Sequence, residues 1–184
     1  TAYESNGGGA CWSSLSNCTL TGNQAFYGGG GFQCALNNCI VRSNGADEGG
    51  GADSSTLNNC SLTNNGAYYG GGAVRCTLTN CIITRNLAGE DGGGVFTSTL
   101  YNCTLVHNWL DDRAHWNGAG AAISVLNNCI CFYNTAPNGP DYETSCTLNY
   151  SCTAFAHGSG VGNITDEPAF VDLAGGNLRL QSNS

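Results

Sequence analysis

Gly70-Gly71-Gly72-Ala73-Val74-Arg75-Cys76-Thr77-Leu78-Thr79-Asn80-Cys81-Ile82-Ile83-Thr84-Arg85-Asn86-Leu87-Ala88-Gly89-Glu90-Asp91 holds one full period of this chain. Val74, Cys76 and Leu78 alternate with Arg75 and Thr77, the period of a strand with one inward face. Asn80 is a turn former, and Cys81-Ile82-Ile83 reads as a second short strand. At Gly92 the pattern begins again.

Leu-x-Asn-Cys starts at Leu15, Leu36, Leu57, Leu78, Leu100 and Leu126, at spacings of 21, 21, 21, 22 and 26 residues. A degraded seventh copy starts at Leu148, with Cys152 displaced by one position. Each of the first six Leu lies eight residues after the start of a Gly cluster, and a second Asn follows eight residues later, from Asn23 to Asn134. Units rich in Gly, Asn, Thr and Ser with no 3.6-residue stripe do not build helical repeats. Short strands recurring every 21 residues build an all-β parallel solenoid, a β-helix of about seven coils. At about 4.8 Å per coil the rod is ~34 Å long.

The repeat predicts coils over 1–152 and an irregular C-terminal cap over 153–184 of the same domain. Two Asn columns are candidate inward ladders bonding the coils above and below. One is Asn17, Asn38, Asn59, Asn80, Asn102 and Asn128; the other runs from Asn23 to Asn134. The Gly triplets allow a left-handed or tightly bent backbone where the coil closes. Cys18, Cys39, Cys60, Cys81, Cys103 and Cys129 form one column, read either as small buried thiols or as partners in disulfides between or within coils. No Cys-x-x-Cys pair exists, which argues against zinc.

Composition bounds the function. The 184 residues carry 13 Asp+Glu against five cations, all Arg, for a net charge of -8, so no basic face is available for nucleic acid. No apolar run is long enough to span a bilayer as a helix. Twelve Cys suggest an oxidising compartment, and the absence of an initiator Met suggests a mature chain or a piece of a longer one.

The variable residues before each Gly cluster carry the candidate chemistry. They are Phe26-Tyr27, Asp47-Glu48, Tyr68-Tyr69, Glu90-Asp91 and then Asp111-Asp112 with Arg113, His115 and Trp116. Aromatic rings stack on sugars, and carboxylates bind hydroxyls or Ca²⁺, the one ion this edge suits; no other cofactor or metal is implied. Tyr27, Asp47, Glu48, Tyr68, Tyr69, Glu90, Asp91, Asp112, Arg113 and Trp116 are therefore the ligand-binding candidates, and Asp111, Asp112 and His115 the catalytic set if the chain is an enzyme. Arg42, Arg75 and Arg85 read as lone cations without an acidic cluster on their face. Asp53 stands where other copies carry Phe32, Val74 and Phe96, so it either needs an inward partner or marks a local register change. Asn17, Asn59 and Asn102 begin Asn-x-Ser/Thr triplets that burial in a ladder would hide from glycosylation. The outward row Ser14, Ala35, Thr56, Thr77, Thr99, Val125 and Thr147 is a partial threonine array of the kind that would bind ice.

The Leu-x-Asn-Cys-x-Ile/Leu-x-x-Asn unit resembles the right-handed parallel β-helix repeat of the pectate-lyase-like superfamily. The Gly-Gly-Gly-Ala/Val stretch with spaced Asn is similar to repeats of chlamydial polymorphic outer-membrane proteins. The tail Asp166-Glu167-Pro168-Ala169-Phe170-Val171-Asp172, with Gly176-Asn177-Leu178-Arg179-Leu180, looks like the end of bacterial secreted β-helix proteins of the choice-of-anchor type. The resemblance implies a right-handed helix in a secreted or cell-surface bacterial protein. Polygalacturonases of that fold pair clustered Asp with Gly-His-Gly and Arg-x-Lys. Here Asp111-Asp112 matches, Ala156-His157-Gly158 lacks the first Gly, and no Lys exists. The expectation is a non-catalytic rigid spacer or adhesin binding a polysaccharide or host glycan along the loop edge, with a pectin-lyase-like lyase or glycoside hydrolase and an ice-binding solenoid as alternatives.

Overall fold

The computed structural model describes residues 5–111, 118–137, 141–155 and 159–182. It is an all-β, right-handed parallel solenoid of about six turns. Each coil has four sides. In the third coil these are Ala52–Asp53, Thr56–Asn58, Ser61–Thr63 and Gly66–Tyr69. Stacked on their equivalents, they form parallel sheets of six, seven, seven and four strands. The register keeps like on like: Leu57 pairs with Leu36 below and Leu78 above. Leu36, Leu57, Leu78, Leu100 and Leu126 are fully buried, and Val41, Leu62, Ile83 and Leu105 make a second sealed column beside them. Each such side chain contributes about 1.5–3 kcal/mol of burial.

Four corners close each coil, and each corner residue is left-handed. In the third coil they are Ser54 (φ 50°), Asn59 (φ 52°), Asn64 (φ 55°) and the following Gly70 (φ 59°). The last corner admits only Gly for a second reason. A Cβ on Gly49 would lie 2.4 Å from the Ala52 carbonyl oxygen. The next Gly is needed for stacking, because a Cβ on Gly50 would meet the Gly66 oxygen of the same coil at 2.4 Å and the Gly71 oxygen above at 2.6 Å.

The two Asn columns part company. Asn44, Asn65, Asn86 and Asn108 are buried. Asn65 donates from Nδ2 to the Val41 carbonyl (2.9 Å) and to Asn86 Oδ1 (3.0 Å), and its Oδ1 accepts the Asn44 backbone N–H (3.0 Å). The other column is not an inward ladder. Asn17, Asn38, Asn59, Asn80, Asn102 and Asn128 sit at exposed corners with φ of 51–55°. Their side chains face water because the residue after each, the Cys, turns inward. Asn17, Asn59 and Asn102 are accordingly not hidden, and burial does not exclude their Asn-x-Ser/Thr triplets.

All twelve cysteines are free thiols. The column Cys18, Cys39, Cys60, Cys81, Cys103 and Cys129 works as a weak-bond ladder. Cys60 Sγ donates to the Asn58 carbonyl (3.2 Å) and accepts the Cys39 N–H (3.4 Å). In the seventh coil Ser151 holds this place, accepting the Cys129 N–H at 3.1 Å. Cys152 is therefore not a displaced column member; it pairs with Ile130 in the adjoining strand. A second mixed column shows the same equivalence, with Cys34 N–H on Ser55 Oγ (2.9 Å) and Ser55 N–H on Cys76 Sγ (3.3 Å). Burial pushes the Cys76 thiol up to about 12, and the bond to Cys129 does the same for Cys103.

Candidate functional site

The fourth face and the Gly corner that follows it form the variable edge. Tyr27, Glu48, Tyr69 and Asp91 stack directly, with Tyr27 paired to Glu48 and Tyr69 paired to both Glu48 and Asp91. A register shift between Ala67 and Tyr69 absorbs the extra residue of the fourth coil. Two of these side chains fold back across the Gly corner onto first-face rings of later coils. Tyr27 lies 6.3 Å from Phe32 in the next coil, and Tyr69 stacks at 5.4 Å on Phe96, two coils on. The neighbouring positions Asp47 and Tyr68 point to solvent. Tyr68 donates its hydroxyl to Glu90 Oε1 (3.0 Å) and meets Tyr69 edge-on at 4.8 Å. Aromatic and carboxylate groups thus do alternate up one edge, but in two columns, one exposed and one folded in.

Asp53 is the departure from the repeat. Its register is unbroken, pairing with Phe32 and Val74, so there is no local slip. It alternates with Ala52 of the main core and is fully buried on the flank beneath the edge. Its partner is Arg75, one coil up at the left-handed corner (φ 50°). Arg75 Nε donates to Asp53 Oδ1 (3.1 Å), Nη2 donates to Asp53 Oδ2, and Nη1 donates to Glu48 Oε2 (2.5 Å). Ser54 Oγ donates to Asp53 Oδ1 (2.8 Å), and the guanidinium lies over the Tyr27 ring at 5.7 Å. Arg75 is therefore no lone cation. Burial still raises the Asp53 carboxyl above its ordinary range, against the lowering effect of Ser54 and Arg75. Sequence reasoning missed Arg75 because it sits 22 residues from Asp53, one coil and one position on, where the side chain crosses a corner.

The four-residue node opens on a cleft of about 300 Å³ lined by Asn6, Tyr27, Phe32, Glu48, Ser54 and Arg75. Higher on the edge, Asp91 is raised to about 6, first by burial and then by Glu143 and Glu90, and its Oδ1 is buried without a hydrogen-bond partner. Among the described residues no group of three or more His, Cys, Asp or Glu side chains converges on a metal position. Asp111 is exposed, its backbone N–H bonded to the Ala88 carbonyl (2.9 Å). Asp112, Arg113, His115 and Trp116 lie outside the described residues. The second face carries the partial threonine row beside Ser16, Asn37, Asn58, Thr79, Tyr101, Asn127 and Asn149, so Tyr101 interrupts its regularity. No helix among the described residues is long and apolar enough to cross a membrane.

No protein-family model matches this chain, and no curated protein sequence matches it. Among solved structures it is similar to full-length QnrB1, a plasmid-mediated fluoroquinolone resistance protein, at 12% identity over 91% of each chain and a TM-score of 0.31. A superposition that loose carries no inference about this chain's function.

Proposed function

We propose that this segment is a non-catalytic, rigid spacer or adhesin-like rod of a secreted or cell-surface bacterial protein, and that its variable edge binds glycans. One observation supports the reading: aromatic and carboxylate groups, some exposed and some half-buried, run up one variable edge of coils locked together by continuous Asn and Cys/Ser ladders. Rings with adjacent hydroxyl-binding carboxylates suit a sugar chain laid along the rod. The partner is a polysaccharide or a host or cell-surface glycan.

A glycan array run beside a panel of uronic-acid and neutral polysaccharides tests this. Binding that falls with Tyr68→Ala, without chain cleavage, is the expected result. Turnover abolished by Asp112→Asn would overturn it in favour of a pectin-lyase-like enzyme acting through Asp111, Asp112 and His115. Thermal hysteresis in place of glycan binding would favour the threonine face.

A further inference from the structure

We propose that the cleft between Tyr27, Glu48, Ser54 and Arg75, with Asn6 and Phe32 at its rim, is a subsite for a neutral pyranose. This rests on reading the edge as glycan-facing and goes on to say where one sugar ring sits and of what class it is.

The first ground is that the node breaks the repeat at a cost. Positions equivalent to Asp53 hold Cys11, Phe32, Val74, Phe96 and Ala122, and those equivalent to Arg75 hold Trp12, Gln33, Ser54, Thr97 and Ile123. Every other coil folds with no ion pair at this place. Asp53 is fully buried while the Arg75 side chain is 42% exposed, and replacing an ion pair with a buried member by packed apolar groups is often neutral or stabilising, so the pair is not what the coil needs to fold. Local rules broken without a stability gain mark functional positions.

The second ground is what the node leaves free. Three of the five guanidinium N–H donors are engaged, leaving one on each Nη. Glu48 accepts through Oε2, keeping Oε1, and the Ser54 oxygen keeps its acceptor capacity. Residues with spare donors and spare acceptors therefore line one opening, together with the Tyr27 and Phe32 rings. Each hydroxyl of a sugar both donates and accepts, and adjacent hydroxyls match such a mixed rim; the C–H face of the sugar ring suits the aromatic rings. The charge decides the class. Two carboxylates face one guanidinium here, so a uronate would bring its own carboxylate against Glu48 and Asp53.

The test uses the whole chain and three uncharged probes, methyl glucopyranoside, methyl galactopyranoside and methyl mannopyranoside, against galacturonic acid, followed by ligand-observed NMR titration. The decisive variant is Asp53→Val with Arg75→Thr, which installs the residues that the fourth and fifth coils already carry at these places. Expected is saturable binding of at least one neutral glycoside, weakened about tenfold or more in the double variant, as loss of hydrogen bonds to charged groups implies. The melting temperature should be unchanged or higher, and galacturonic acid should bind more weakly than the neutral probe. Glu48→Ala, at a partly exposed position, should weaken the same probe without the core being touched. Affinity unchanged in both variants, tighter binding of galacturonic acid, or no neutral binding overturns the subsite. If array binding falls with Tyr68→Ala but persists in the double variant, the subsite is wrong and the glycan-binding edge stands; no glycan binding at all removes both.

Discussion

The two asparagine columns occupy every coil at fixed spacing, and they do unlike work. Asn65 and its equivalents are buried and use both ends of the amide, donating to a carbonyl of the coil below and to the amide oxygen of the coil above. Asn59 and its equivalents are exposed, and what matters there is the backbone at φ of about 50°, which Asn tolerates better than other residues with a Cβ. In the first column the side chain is chosen for its bonds; in the second it is chosen for the conformation it permits. Periodicity in sequence therefore reports a repeated environment without saying which environment it is.

The largest expected effect breaks the inward column. Asn65→Ala strips the acceptor from the Asn44 N–H and Nδ2 and the donor from the Val41 carbonyl, leaving several buried groups unpaired. Urea denaturation should show a loss of about 3–5 kcal/mol, given about 1–3 kcal/mol for each stranded group. A loss equal to that of a corner substitution would erase the distinction between the columns.

At the corner, Asn59→Val should cost about 1–2 kcal/mol, the penalty of a left-handed L-residue, while Asn59→Gly should change stability by under about 0.5 kcal/mol. A corner at which Gly costs as much as Val would mean that the amide bonds matter there too.

The end of the inward column adds a pH dependence. Asp141 Oδ1 accepts the Asn134 backbone N–H (2.5 Å), in the manner of the next ladder oxygen, and burial raises its carboxyl to about 6. The folded state thus holds this proton more tightly than the unfolded chain does. The contribution of Asp141, and of Asp91 likewise raised, is full below about pH 4 and is lost as pH rises through about 6. Asp141→Asn keeps an oxygen for Asn134 without the charge. It should gain about 1 kcal/mol at pH 7 and flatten the fall in melting temperature between pH 4 and 6.

The thiol column should tolerate change as well. Cys60→Ser should change stability by less than about 1 kcal/mol, because Ser151 and Ser55 already take the same pair of bonds in their coils. Cys60→Val, which cannot accept the Cys39 N–H, should cost more than Ser, although it is the more apolar change.

Only part of the edge was legible in the sequence. The placement of Tyr27, Glu48, Tyr69 and Asp91 on one edge follows from counting positions before each Gly cluster; that Asp47 and Tyr68 beside them are the exposed column does not. The partnership of Asp53 with Arg75 does not, because a side chain that reaches across a corner into the next coil joins residues that no simple period relates.

The parallel solenoid, the 21-residue coil and the Leu and Cys columns that fill it follow from the amino-acid pattern. A strict repeat leaves each unit no partner for its apolar face except its neighbours, so stacking follows from the pattern alone. Tertiary structure decided which Asn faces inward, that Ser151 stands in for cysteine, and that a buried carboxylate on the flank meets its guanidinium one coil away. Each depends on the direction of a side chain at a left-handed corner, where the two-residue alternation of a strand breaks and the next residue turns to another side of the coil.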